Sequence, residues 1–251
     1  MTPRFIRPDW PAPEGVLALC TTRQGGCSAH PYNSFNLAQH VGDSEQAVAA
    51  NRAVLAAQLP AGSQLSWLSQ VHGRDVVEAG QRESLPTADA QWSRSAGIAC
   101  TVMTADCLPV LFCTSNGDVV AAAHAGWRGL LTGVLEATVE AMATPPQRLL
   151  VWLGPAIGPQ VFEVGPEVRQ AFLSAACPGE LDCIANCFRA STGRPGHWYA
   201  NLYDLARARL KAIGVTRLFG GEWCTFCDSE QFYSYRRDGQ TGRMVSLILR
   251  L

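Results

Sequence analysis

The chain has 251 residues, 47% of them hydrophobic and 16% charged, with a formal net charge of −1. That balance suits a globular protein with one sizeable core and leaves no excess of Lys and Arg to hold a nucleic-acid backbone or an anionic membrane surface. No run reaches the roughly 18 apolar residues of a membrane span, and the opening MTPRFIRPDWPAPEG lacks the apolar stretch of a secretory signal. The expectations are one domain over residues 1–251, no nucleic-acid partner, no membrane and a cytoplasmic location.

VLALCTTR, from Val16 to Arg23, reads as a buried strand that ends in the turn Gly25-Gly26. A helix is predicted from Glu45 to Gln58, with Asp43 as its cap and Gln46 completing a capping box. Strands follow from Gln64 to His72 and from Asp75 to Ala79, split by Gly73, and then from Ile98 to Met103. TADCLPVLFCTSNGDVVAAAHAGWRG, from Thr104 to Gly129, reads as a hairpin turned at Asn116-Gly117. The next helix, Leu130 to Ala143, repeats Leu131, Val134, Leu135, Thr138, Val139 and Met142 on one face. RLLVWLGPAIGP is a strand entering a Gly/Pro-rich turn, a common setting for a binding loop. Helices from Pro166 to Ala176 and from Leu202 to Ile213, the latter ended by Gly214, and strands at Val215 to Glu222 and Met244 to Leu251 complete the chain. Hairpin-linked strands interspersed with helix-separated ones predict an α+β fold, with mixed sheets flanked by helices. Neither a GxGxxG nor a Walker A motif argues for a regular parallel sheet.

Ten cysteines are present, and those in apolar runs, such as Cys20, Cys100 and Cys113, lead to a reading of mostly buried, reduced thiols. The spacing of Cys183, Cys187, Cys224 and Cys227 also permits a structural zinc site. Within the hairpin, pairing Leu108 to Cys113 with Asp118 to Ala123 sets Cys107 beside His124 at the open end. That is either a buried thiol next to a hydrogen-bonded imidazole or a pair of ligands. His72 ends another predicted strand, and Gly73 beside it lets something approach closely. Two histidines and one cysteine make three zinc ligands with a fourth position open, the catalytic rather than the structural arrangement. His30, His40 and His197 fall in predicted loops and read as surface residues or substrate contacts.

The strings TTRQGG, SFNLAQHVGD, QVHG, TADCLPV, AAAHAGWRG, LGPAIGP, FEVG and YSYRRDGQTGR occur in order from residue 21 to residue 243. Together they resemble the YfiH-type family, once labelled polyphenol oxidases or laccase-domain proteins and described as purine nucleoside phosphorylases. The resemblance implies a four-layer α/β/β/α arrangement. It also implies that His72, Cys107 and His124 are both metal ligands and catalytic residues, the same three that the strand ends suggest, with zinc, or copper, as the cofactor. The implied partners are phosphate and a purine nucleoside: adenosine, inosine, guanosine or S-methyl-5'-thioadenosine, split to base and ribose 1-phosphate, with adenosine deamination in some members.

Phosphorolysis requires cations that hold phosphate near the anomeric carbon. Arg23 and Arg236 are the expected substrate clamps, since guanidinium grips phosphate in a bidentate manner; Arg237 is a further candidate clamp, though it and Arg128 read more readily as solvated surface arginines. Asn36 is expected either at sugar or base or in an Asx turn, and Asp106 either orients a ligand histidine or caps a turn. Family members often carry cysteines after GPAIGP, where this chain has Gln160-Val161, so no redox role is expected at that position. Three other readings compete. A copper-dependent polyphenol oxidase needs a type 1 copper and a histidine-rich cluster, for which five histidines are too few. A cysteine hydrolase would use Cys107 as nucleophile and His124 as base. The third is a metal- or partner-binding protein without turnover.

Overall fold

A computed structural model describes residues 3–80, 84–177 and 179–251. One sheet has the strand order β1 (Phe5–Ile6), β2 (Val16–Thr21), β14 (Met244–Arg250), β6 (Ile98–Thr104) and β3 (Gln64–Ser66). A second runs β13 (Arg217–Gly220), β9 (Leu149–Leu153), β7 (Leu108–Thr114), β8 (Val120–Ala125), β5 (Ala90–Ser93) and β4 (Val76–Glu78). Both are mixed, because β3 runs parallel to β6, β13 to β9 and β4 to β5, while the other ladders are antiparallel. A small antiparallel sheet, β10 (Glu163–Val164), β12 (Trp198–Ala200) and β11 (Phe188–Ala190), stands apart. The helices are α1 (Glu45–Ala56), α2 (Trp127–Thr132), α3 (Val134–Met142), α4 (Pro166–Ala175), α5 (Leu181–Asn186), α6 (Leu202–Ala212) and α7 (Tyr235–Asp238).

Strand alternation sorts the apolar side chains into layers. Leu108, Val110 and Phe112 of β7 pack with Val134 and Leu135 of α3, Phe172 of α4 and Leu205 of α6. Their neighbours Leu111 and Cys113 point the other way, where they meet Trp152 of β9 and Ala18, Val102 and Ile248 of the first sheet. The far face of that sheet sets Leu19, Val245 and Leu247 against Phe35, Leu37 and Leu55 of α1. The stacking is therefore α/β/β/α, the four-layer arrangement of mixed sheets that the resemblance implied. Each fully buried side chain of Leu111's size contributes about 1.5–3 kcal/mol.

Several predicted boundaries need correction. Ser44, not Asp43, caps α1 by accepting the Ala47 N–H, and Asp43 turns back to the Asn36 amide. The predicted helix from Leu130 to Ala143 begins earlier and breaks at Gly133, whose left-handed φ of +92° separates α2 from α3. The strand predicted to run from Gln64 to His72 stops at Ser66. Cysteine burial is also less general than expected: Cys20, Cys100, Cys113 and Cys187 are buried, but Cys27, Cys177, Cys183 and Cys227 are exposed. Among the described residues, no helix is long and apolar enough to cross a membrane.

Candidate metal centre and its pocket

The hairpin turns at Asn116-Gly117 as expected, with Gly117 at φ +74° and the Thr114 N–H donating to the Val119 carbonyl at 3.0 Å. Its register is two residues away from the predicted one, because Leu108 faces Ala125 and Pro109 faces His124. Continued past the strands, this register sets Cys107 against Gly126, so Cys107 and His124 meet diagonally. The missing side chain matters there. A Cβ on Gly126 would lie 2.9 Å from Cys107 Sγ and 3.2 Å from His72 Cδ2. By alternation with Ala122 and Leu111, His124 and Pro109 belong to the face of the second sheet that is turned to the first.

His72 reaches the same place from a loop rather than from a strand end. Where the ladder between β3 and β6 stops, the Gln70 side chain takes over: its Nε2 donates to the Met103 carbonyl at 2.9 Å and its Oε1 accepts the Met103 N–H at 2.8 Å. His72 then adopts φ +61°. This turns three successive amides, of Val71 (3.1 Å), His72 (2.9 Å) and Gly73 (2.6 Å), onto the carboxylate of Asp89. Asp89 is fully buried, and its Oδ1 also receives Nδ1 of His124 at 2.8 Å. An imidazole that donates from Nδ1 to a carboxylate directs Nε2 to the opposite side, where it can serve a metal once its own proton has been displaced.

The charges in this cluster support one another. Burial alone raises the Asp89 carboxyl, but the His124 imidazole and the Gly73 and Val71 amides outweigh it and hold Asp89 below the usual carboxylate range. Burial likewise opposes a Cys107 thiolate. The charge and hydrogen bond of His124, joined by His72, overcome that and bring the thiol down to about 6. Burial disfavours the His124 cation, yet Cys107 and Asp89 lift it to about 9. The ligand-type atoms of His72, Cys107 and His124 all lie within 4.8 Å of one another. A thiolate, two imidazoles and a carboxylate behind one of them form a donor set that suits zinc, and copper as well. Among the described residues no other group of three such side chains gathers, so Cys183, Cys187, Cys224 and Cys227 do not form the second site that their spacing permitted.

The three residues open onto a cavity of about 570 Å³. Trp127, Ile157, Phe162 and Leu202 give it an apolar wall, while His40, Arg128, Arg236 and Arg243 supply cationic or donor groups. Arg236 is held over Phe162, with Nη1 donating to the Glu163 carbonyl at 2.9 Å, and Arg128 lies over Trp127. The other sequence candidates sit elsewhere. Arg23 spends its guanidinium on the carbonyls of Asn33 and Ser229 and lies over Tyr233, so it ties loops together and does not line the cavity. Asn36 is fully buried, its amide bonded to Ala38, Asp43 and the Arg243 N–H, which leaves nothing for a sugar or base. Asp106 does not orient a histidine. It accepts from Thr225, Ser234 and the Arg236 amide, and thereby positions the segment that carries Arg236. Arg237 binds the carbonyls of Thr225, Phe226 and Phe232.

Sequence reasoning missed Asp89, Gln70 and Arg243. Asp89 lies in TADAQW, where nothing in the spacing marks it; Arg243 closes the string YSYRRDGQTGR, which does draw attention to arginine.

The family model described as multi-copper polyphenol oxidoreductase laccase matches residues 17–251. A purine nucleoside phosphorylase of Pseudomonas aeruginosa is 53% identical over 97% of each chain. The purine nucleoside phosphorylase YfiH of Escherichia coli is 50% identical over 98% of each. Among solved structures, a Neisseria meningitidis protein is similar with a TM-score of 0.92 and 47% identity over 98% of each chain. A Bacillus licheniformis hypothetical protein named YfiH gives a TM-score of 0.85 at 26% identity, covering 94% of this chain and 93% of that one.

Proposed function

The chain belongs to the YfiH-type family, the group matched by the laccase model, and on that footing we propose that it is a metal-dependent purine nucleoside phosphorylase with zinc as its ion. The observation that carries this reading is the opening of His72, Cys107 and His124 onto one cavity that has an apolar aromatic wall and several arginines. The names of relatives 43–53% identical support it.

When bound, the ion supplies Lewis acidity at the floor of the pocket. The chain's own residues supply the rest. Asp89 keeps His124 in the tautomer that presents Nε2, and Gly126 leaves room for the thiolate. Trp127, Ile157, Phe162 and Leu202 shield a flat purine from water, and the arginines provide the positive charge against which phosphate meets the anomeric carbon as the glycosidic bond breaks. Adenosine, inosine, guanosine and S-methyl-5'-thioadenosine are the proposed nucleosides, with adenosine deamination as a second activity at the same centre.

The test is chromatographic analysis after incubation with adenosine, with and without phosphate. Adenine and ribose 1-phosphate formed only with phosphate are the expected products, and inosine in either sample reports deamination. Phosphate-independent release of adenine, or no product, overturns the phosphorylase reading. One geometric observation favours a second reading. Cys107, His124 and Asp89 stand in the thiolate, imidazole, carboxylate order of a cysteine hydrolase. A hydrolase keeps its activity after chelation and loses it on alkylation, whereas chelation abolishes a metal-dependent phosphorolysis.

A further inference from the structure

Of the three arginines that line the pocket, Arg128 and Arg236 are exposed and Arg243 is half-buried. It stands at the start of β14, where its backbone N–H donates to Asn36 Oδ1 at 3.0 Å. Nη1 donates to the carbonyls of Thr241 (2.8 Å) and Gly242 (3.0 Å), which fixes the guanidinium by one corner. Nε and Nη2 have no protein acceptor among the described residues, and none of the ion pairs there includes Arg243. The charges of Cys107 and Asp106 favour the guanidinium through space without offsetting its burial, and both Asp106 oxygens are hydrogen-bonded to Thr225, Ser234 and the Arg236 amide rather than to Arg243.

A half-buried guanidinium without a carboxylate is a costly arrangement unless an anion completes it. Burial already works against the charge of Arg243. The free edge of the fork, Nε and Nη2, is the edge that meets two oxygens of a tetrahedral oxyanion. His40 lines the same cavity close enough to feel the Arg243 charge, which, after burial, helps to keep its imidazole neutral and able to donate one hydrogen bond. Each of the three arginines lies over an aromatic ring, Arg243 over Tyr235 at 5.9 Å, and they differ in burial, since Arg236 and Arg128 are exposed. Arg236 and Arg128 lie over Phe162 and Trp127, on the wall suited to a purine. The pocket thus sets two exposed arginines on the Trp127 and Phe162 wall and, near the His40 imidazole, one half-buried arginine whose Nε and Nη2 edge has no protein acceptor among the described residues.

We propose that Arg243, with His40 beside it, forms the inorganic phosphate subsite, while the wall of Trp127 and Phe162 takes the base. The assignment rests on the phosphorylase reading and goes beyond it by separating the two substrates within one cavity.

The experiment pairs steady-state kinetics with calorimetric titration of inorganic phosphate into the metal-containing protein at saturating adenine, for the wild type, Arg243→Gln and Arg243→Lys. In Arg243→Gln the KM for phosphate is expected to rise about tenfold or more, with the KM for nucleoside within about twofold of wild type. Arg243→Lys, which keeps the charge but loses the fork, is expected between the two. If the glutamine variant does not fold, the lysine variant decides, and an unchanged phosphate KM there overturns the proposal. Equal rises in both KM values overturn it too, because Arg243 is then a nucleoside contact. Calorimetry separates this inference from the reading beneath it. Phosphate bound by the wild type and lost in Arg243→Gln supports the subsite even if product analysis shows no phosphorolysis. Equal binding by both proteins, or none by the wild type, overturns it even if phosphorolysis is observed.

Discussion

Four hydrogen bonds end on the carboxylate of Asp89, one from a ligand imidazole and three from the amides that shape the His72 loop. One side chain therefore sets two of the three ligands. Asp89→Asn keeps the volume but leaves one acceptor oxygen and turns an NH2 group towards N–H donors. The expected outcome is a loss of about 10–100-fold in metal affinity, read by competition with a chelator. Metal-free stability should fall by about 1–3 kcal/mol, read by urea melts. Because the folded carboxyl titrates below its unfolded value of about 3.9, its contribution is complete above that pH and disappears as the pH falls through the folded value. The wild type should therefore lose stability on acidification more steeply than Asp89→Asn does. Identical acid profiles would remove Asp89 from this role. Nothing local could have revealed it, because a single aspartate before a strand has no motif, and its importance arises from meeting residues 71–73 and 124 in space.

At the scale of elements, the junction between β8 and α2 carries a separable prediction. Gly126 has φ −67° and ψ 168°, an extended conformation open to any residue, so Gly126→Ala strains no backbone and acts only through its Cβ. That atom would fall 2.9 Å from Cys107 Sγ. Stability is expected to change by less than about 1 kcal/mol, while metal affinity drops by about tenfold or more. Gly133→Ala should do the reverse: at φ +92° it costs about 1–2 kcal/mol and leaves metal binding intact. Calorimetric metal titration and thermal melts of the two variants check both halves, and parallel losses in each would refute the separation. The hairpin that feeds this junction was legible from its apolar runs and its Asn-Gly pair. A turn centred on Asn116-Gly117 also dictates Leu108 opposite Ala125, so the register was available to a stricter reading of the same residues. The end of β3 was not. It stops at Ser66 because the Gln70 side chain, pairing with Met103 of a distant strand, replaces the ladder.

For the whole molecule, periodicity alone indicates mixed sheets flanked by helices, but two facing sheets with helices on both outer sides come from the family strings. The physical reason is that β7 is buried along its full length, so its pattern cannot say which face meets a sheet and which meets helices. The layer between the sheets also contains a polar tie that explains why the metal centre can sit at its edge. Gln91 of β5 is fully buried, and its Nε2 donates to the carbonyls of Ser66 (2.8 Å) and Thr101 (2.7 Å) in the opposite sheet. Two residues earlier on the same face stands Asp89, so the tie and the ligand support share one strand direction. Gln91→Leu keeps the bulk and removes both bonds, and it is expected to lower stability by about 1–3 kcal/mol in urea melts. Its effect on metal affinity should be smaller than that of Asp89→Asn, because the contact to His124 is untouched. Equal losses of affinity in the two variants would mean that metal binding follows the rigidity of the whole inter-sheet layer, and that the carboxylate acts through the fold rather than through the imidazole it touches.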